Sequence, residues 1–174
     1  MTSKNSANQL AKECLITALV QLLHEKKLSE ISISELTKKA GVSRMTYYRN
    51  YVSKEDIIMK YLAEIFTLYH QEFKQQSDHT NFYDMPNMLH CFQYFSAYKD
   101  FINTLFLSGL GDLFLSNLTK YILSLWYKEG DSLTHYYTLL AFAGSLCSIY
   151  LAWMKNDSSL PVEELARIIH SIYS

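Results

Sequence analysis

The chain has 174 residues, of which 49% are hydrophobic and 19% charged, with a formal net charge of −1. That length supports one domain, or a small domain fused to a larger one, and the apolar fraction excludes a disordered chain. Three cysteines, Cys14, Cys91 and Cys147, lie far apart and form no CxxC pair. Neither a zinc site nor a disulfide framework is expected, and a reducing cytoplasm fits.

With only five Gly and two Pro and almost no strand-type alternation of apolar and polar residues, the pattern predicts an all-α chain. The N-terminal stretch MTSKNSANQLAKECL lacks the apolar core of a signal peptide, so no targeting segment is read there. The near-neutral total conceals an asymmetry. Residues 1–60 hold ten Lys/Arg against six acids, whereas residues 61–174 hold six against eleven. A basic head on an acidic body points to a phosphate-bearing partner for the first part alone.

In chain order, Leu10 or Ala11, Cys14, Leu15, Ala18, Leu19, Leu22 and Leu23 repeat at helical spacing, which predicts a first helix over about residues 6–26. The run SISE (Ser32–Glu35) reads as a capping box that opens a short second helix, stopped by Gly41. Ser43 caps a third helix, Arg44–Asn50, and SKED (Ser53–Asp56) opens a fourth that carries an apolar stripe past residue 70.

Two short helices joined by a glycine turn form a helix-turn-helix, with GVSRMTYYRNY (Gly41–Tyr51) as its second half. On a helical wheel Tyr47 and Tyr51 share one face and pack on Leu36 and Ala40, while Met45, Thr46 and Arg49 point away and Tyr48 and Asn50 flank. Arg44 and Arg49 are long enough to reach guanine edges in a major groove, and Tyr48, Thr46 and Lys54 are placed to meet phosphates. The polyanion these residues suit is duplex DNA; a purely structural helical hairpin with the same caps is the alternative.

The C-terminal part carries 22 of the chain's 25 aromatic residues, which predicts either a well-filled core or a pocket for an apolar or aromatic effector between about Tyr61 and Tyr150. His70, His90, His135 and His170 have no ligand-like spacing with acids, so no metal or other cofactor is expected. Cys91 and Cys147 read as buried inert thiols, with oxidant sensing as the alternative. The stretch Thr138–Met154 is apolar for 17 residues, short of the roughly 20 that span a bilayer. A buried or interface helix is expected there, with membrane insertion as the alternative. Pro161 followed by Glu163 and Glu164 marks a last helix. No nucleophile–base pair, Gly-rich phosphate loop or metal spacing is present, so no enzyme is expected.

Residues 10–62 resemble the DNA-binding region of the TetR family of bacterial transcriptional regulators. The resemblance is carried by ISISELTKKAGVSRMTYYRNYVSKEDII: its capping Ser, its Ala-Gly-Val-Ser turn, its Thr-Tyr-Tyr-Arg core and its Ser-Lys-Glu-Asp-Ile start of helix four. It implies DNA contacts from Ser32 and Ser34, from Arg44, Met45, Thr46, Tyr48 and Asn50, and from Lys54. Asn50 stands where the family most often has histidine, and Tyr51 where it usually has phenylalanine. The ending FAGSLCSIYLAWMKNDSSLPVEELARII is similar to one subgroup that includes regulators of dihydroxyacetone kinase operons. There the last two helices form a four-helix dimer interface, with Gly144 and Trp153 at the matching positions.

The resemblance implies an N-terminal three-helix helix-turn-helix domain (residues 1–52), joined by a long fourth helix to a larger helical ligand-binding and dimerisation domain (residues 53–174). As a cytoplasmic homodimer such a protein would bind a palindromic operator in duplex DNA and repress until a small molecule releases it. The alternative is a co-regulator whose C-terminal domain binds a partner protein.

Overall fold

The computed structural model describes residues 2–75, 81–156 and 159–174 and contains no strand among them. Helix α1 (Thr2–Leu23) is followed by a 3-10 turn (Leu28–Glu30), then α2 (Ile33–Ala40), α3 (Arg44–Asn50) and α4 (Lys54–Phe73). The larger part comprises α5 (Met85–Ser96), α6 (Lys99–Leu107), α7 (Gly111–Trp126), α8 (Leu133–Lys155) and α9 (Val162–Tyr173). The all-α architecture, with an N-terminal helix-turn-helix and a larger helical C-terminal domain, is the expected one. The first helix ends earlier than its apolar spacing suggests, because after Leu23 the chain turns through a loop into the 3-10 turn, where Leu28 and Ile31 bury instead.

Three serines start the next three helices in the same way. Ser32 accepts the Glu35 amide, Ser43 the Thr46 amide and Ser53 the Asp56 amide, each at 3.1 Å, so each supplies a partner to a helix-terminal N–H. Half of the expected capping box forms at α2: the Glu35 carboxylate accepts from the Lys26 ammonium at 2.6 Å. Gly41 takes φ of +67°, and its N–H and that of Val42 return to the Lys38 and Thr37 carbonyls, which closes α2 and turns the chain into α3.

Helix α4 crosses from one part to the other, packing on α1 and α7. Its stripe Ile57, Ile58, Leu62, Ile65, Phe66, Tyr69 and Phe73 is buried, while Tyr61 is half-buried and meets Phe101 edge-on at 4.9 Å. Most of the aromatic excess fills the core. Tyr69 is ringed by Phe73, His90, Tyr94, Phe95 and Tyr121 with centroids 4.9–6.2 Å away. The Tyr150 and Tyr94 hydroxyls are satisfied by the Phe95 and Ile65 carbonyls at 2.7 and 2.9 Å. Two small adjoining cavities, about 20 and 30 Å³, lie between α5, α7 and α8 and share Cys91, Leu118 and Leu146. Neither holds more than about a water molecule. Burial pushes the Cys91 thiol up to about 12 and Cys147 up to about 11, so both stay protonated at neutral pH.

Helix α8 is 23 residues long, longer than the apolar run in its sequence, and is by length and composition apolar enough to cross a membrane. Here it packs on α7 and buries Leu139, Phe142, Ala143, Leu146, Cys147, Tyr150 and Trp153 in the core, while α9 packs on α5. Ser145 and Tyr173 join α8 to α9 through a 2.7 Å hydroxyl contact.

The start of α7 depends on a missing side chain. Gly111 is buried against the Phe106 ring, and a Cβ placed there would overlap that ring. Gly111→Ala should therefore lower stability by about 1–3 kcal/mol through overpacking, although alanine is the better helix former. Urea unfolding followed by circular dichroism provides the check, and an unchanged midpoint would show that the Phe106 ring yields freely.

Candidate nucleic-acid interface

The orientation of α3 follows from two tyrosines. Tyr47 is 0% exposed and Tyr51 is buried beside it with ring centroids 6.1 Å apart, both in one core with Leu36 of α2. Burial raises both phenol pKa values, Tyr51 to about 12, so they pack as neutral rings. With that face inward, the opposite face of α3 must meet solvent. Met45 is 78% and Tyr48 59% exposed, and Arg44 and Arg49 are exposed as well.

The residues singled out in the sequence fall into two groups. Ser32, Ser34, Arg44, Met45 and Tyr48 are exposed on the helix-turn-helix. Ser32 accepts an amide and keeps its hydroxyl proton free to donate. Thr46, half-buried, lies 3.0 Å from the Ser43 hydroxyl; one of the two protons bridges them and the other is left to donate outward. Arg44 and Arg49 make no ion pair among the described residues. Val52, 89% exposed in the link between α3 and α4, is a further apolar surface residue beside this face that no periodicity reveals.

Asn50 and Lys54 sit differently. The Asn50 amide donates to Asn8 Oδ1 of α1 at 3.0 Å and to the Thr46 carbonyl at 2.8 Å. Both partners are acceptors, so the amide orientation is set and only Oδ1 stays open to a ligand. The Lys54 ammonium donates to the Leu28 and Ile31 carbonyls, clasping the 3-10 turn to the first turn of α4. Lys54→Met keeps the stem but deletes those donors, and two partly buried carbonyls then lose a charged partner. A stability loss of about 1–3 kcal/mol is expected in the absence of any nucleic acid. A thermal melt of the free protein measures it, and an unchanged midpoint would leave the ammonium disposable for other partners.

At the far end, Gly144 lies where an added Cβ would meet nothing within 4 Å. Half-buried itself, it lies in line with the exposed Tyr137, Ala141, Ser148 and Ala152 of α8, and Ile168 and Ile172 of α9 are exposed too. Trp153, in contrast, is buried within its own chain, and its indole N–H donates to the Leu160 carbonyl at 2.8 Å. It fixes the link from α8 to α9 from inside.

No family model matches the chain. Over 49 residues it is 45% identical to the HTH-type transcriptional regulator EthR of Mycolicibacterium smegmatis, a match covering 28% of this chain and 23% of that relative, so less than a quarter of its length. Solved structures match nearly end to end. A TetR transcriptional regulator from Streptococcus agalactiae superposes with a TM-score of 0.63 at 24% identity, covering 97% of this chain and 96% of that one. FadR from Bacillus subtilis, in complex with stearoyl-CoA, gives 0.60 at 15% identity over 92% and 96%. The dihydroxyacetone kinase operon activator DhaS gives 0.58 at 16% over 93% of each chain. These proteins are regulators of transcription, not enzymes, and at such identities the structures speak for the fold. The chain thus shares the fold of a TetR transcriptional regulator along its length, and over 49 residues it is similar in sequence to an HTH-type transcriptional regulator.

Proposed function

We propose that the chain binds duplex DNA through α3, acting in the cytoplasm as a homodimer on a palindromic operator and repressing transcription until an effector binds. The observation that carries this reading is the outward face of α3, where Arg44, Met45 and Tyr48 stand free around a rigid tyrosine anchor. Arg44 reads a base edge. Tyr48, Thr46, Ser32 and Ser34 donate to phosphates, Met45 offers an apolar contact such as a thymine methyl, and Asn50 offers an acceptor to a base amino group. Lys54 acts mainly from behind, by holding the turn below α2. The division between the two domains falls at residues 52 and 53.

Selection of bound duplexes from a random pool gives the operator. On it, Arg44→Ala should relax base preference at a cost of about 1–3 kcal/mol, whereas Tyr48→Phe should weaken binding to all sequences alike. A salt titration of each variant separates the two effects, and a protein that shifts no duplex at low salt would end the reading.

The dimer uses the outward stripe of α8 together with α9, with Gly144 at the close approach and Trp153 as its internal support. Because a side chain at position 144 finds open space within the chain, Gly144→Leu leaves the protomer intact while wedging a partner away, at about 1–3 kcal/mol per subunit. Sedimentation should show dissociation at concentrations where the parent is dimeric. An unchanged dimer would place the interface elsewhere.

The effector reading is supported by the relative solved with stearoyl-CoA and by the largely apolar and aromatic lining near Cys91 and Leu118. With core cavities this small, a neutral apolar or aromatic effector that enters the core between α5, α7 and α8 binds a minor, opened state of the body and shifts the population toward it. The same filled core favours a second reading, a co-regulator whose body docks a partner protein. Thermal stabilisation by a small molecule together with operator release supports the sensor; retention of a second protein without any such molecule supports the co-regulator.

A further inference from the structure

We infer that His24, Thr104 and Ser108 form a latch that fixes the angle between the helix-turn-helix and the larger domain. The latch closes over a cleft of about 1040 Å³ between the end of α1 with the 3-10 turn and the outer side of α6. Two charges at the cleft are paired within the protein, Lys26 with Glu35 at 2.6 Å and Glu25 with Lys39 at 3.2 Å, and the Glu30 carboxylate accepts from the Lys27 amide at 2.9 Å. What spans the cleft is a pair of hydrogen bonds.

His24 Nε2 lies 2.6 Å from Thr104 Oγ1. The Thr104 hydroxyl has one proton, and it is donated to the Asp100 carbonyl at 2.7 Å. Its oxygen must then accept, so His24 is the donor and holds its proton on Nε2. Thr104 is 2% exposed, so loss of the imidazole would leave a buried hydroxyl oxygen without its second partner. One turn further on, Ser108 Oγ donates to the Leu23 carbonyl at 3.5 Å, supplying a partner to an end carbonyl of α1. The Asp100 carboxylate stands 3.8 Å from the same His24 nitrogen. The bonded residues are 80 and 85 positions apart in sequence, and Asp100 and Thr104 of α6 and Ser108, the residue that caps its end, follow at intervals of four, so a rotation or slide of α6 disturbs the set together. His24 is a positioning residue in this device: its work is to hold the helix-turn-helix at one angle. The consequence for DNA rests on the regulator reading above, whereas the latch itself does not.

Spin labels at Lys38→Cys on α2 and Lys120→Cys on α7, both exposed, in a Cys14→Ser background, report the angle within one chain when labelled protein is diluted into excess unlabelled protein. The parent should give one narrow distance distribution by pulsed electron resonance. His24→Ala should broaden or shift it, Thr104→Val should do the same, the double variant should add nothing further, and Thr104→Ser, which keeps the hydroxyl, should restore the narrow distribution. A distribution for His24→Ala superimposable on the parent would overturn the latch. If Thr104→Val fails to fold, the half-exposed His24 decides alone, since its alanine variant leaves the core intact. Failure of the protein to bind any duplex would remove the regulator reading and leave this distance test standing.

Discussion

Burial of Tyr47 and Tyr51 in the core that also holds Leu36 is the constraint on which the functional surface depends. A seven-residue helix has little stability of its own, and α3 is held by these two rings, by the Ser43 cap and by the left-handed Gly41 that delivers it. With the rings inside, no freedom is left over which residues face outward: Arg44, Met45 and Tyr48 are exposed because Tyr47 and Tyr51 are not. Specific reading of DNA needs side chains whose backbone does not wander, and the cheapest anchor for a short helix is a large apolar ring.

The larger domain answers a different demand. Its rings pack on one another rather than around a void, and the cavities beside Cys91 are water-sized. A close-packed core does not deform gradually; it repacks between discrete arrangements. An effector that enters such a body must displace side chains, and the displacement reaches α6, which packs on α7 inside and on α1 outside. The filled core and a switching function are compatible only if the open state is a real, minor population of the free protein.

Much of this was legible from the sequence, and what was not has a common cause. Caps are local: Ser32, Ser43 and Ser53 act on amides three residues ahead, so the starts of α2, α3 and α4 could be read from spacing alone. The inward and outward faces of α3 were readable because Tyr47 and Tyr51 repeat at four. The roles of Lys54 and Asn50 were not, since Lys54 meets carbonyls 26 and 23 residues away and Asn50 meets Asn8 across 42; which of a lysine's possible partners is nearest depends on how helices stack. Trp153 has the same origin: a buried helix and an interface helix look alike in an apolar run, and only the turn at Leu160 decides which way the indole points. The ring-rich body could be a filled core or a pocket by composition, because both need the same residues.

The segment from Leu23 to Ile31 joins these threads. Lys54, at the first turn of α4, holds its later carbonyls, at Leu28 and Ile31. Thr104 of α6 and Ser108 at its end hold its beginning, at His24 and Leu23. It leads directly into Ser32, the cap of α2, and α2 carries Leu36, against which the recognition helix is anchored. A shift of α6 therefore acts on these nine residues before it acts on α3, whereas a shift of α4 acts on them and also directly on the end of α3, where Lys60 holds the Asn50 carbonyl. Backbone carbonyls gripped by two separate helices cannot follow both when these move apart, and the segment must yield to one of them. Beside the apolar packing of α4, this short polar junction is a second tie between the two parts of the molecule, where single hydrogen bonds of about 1 kcal/mol each are large enough to bias a balance between two states.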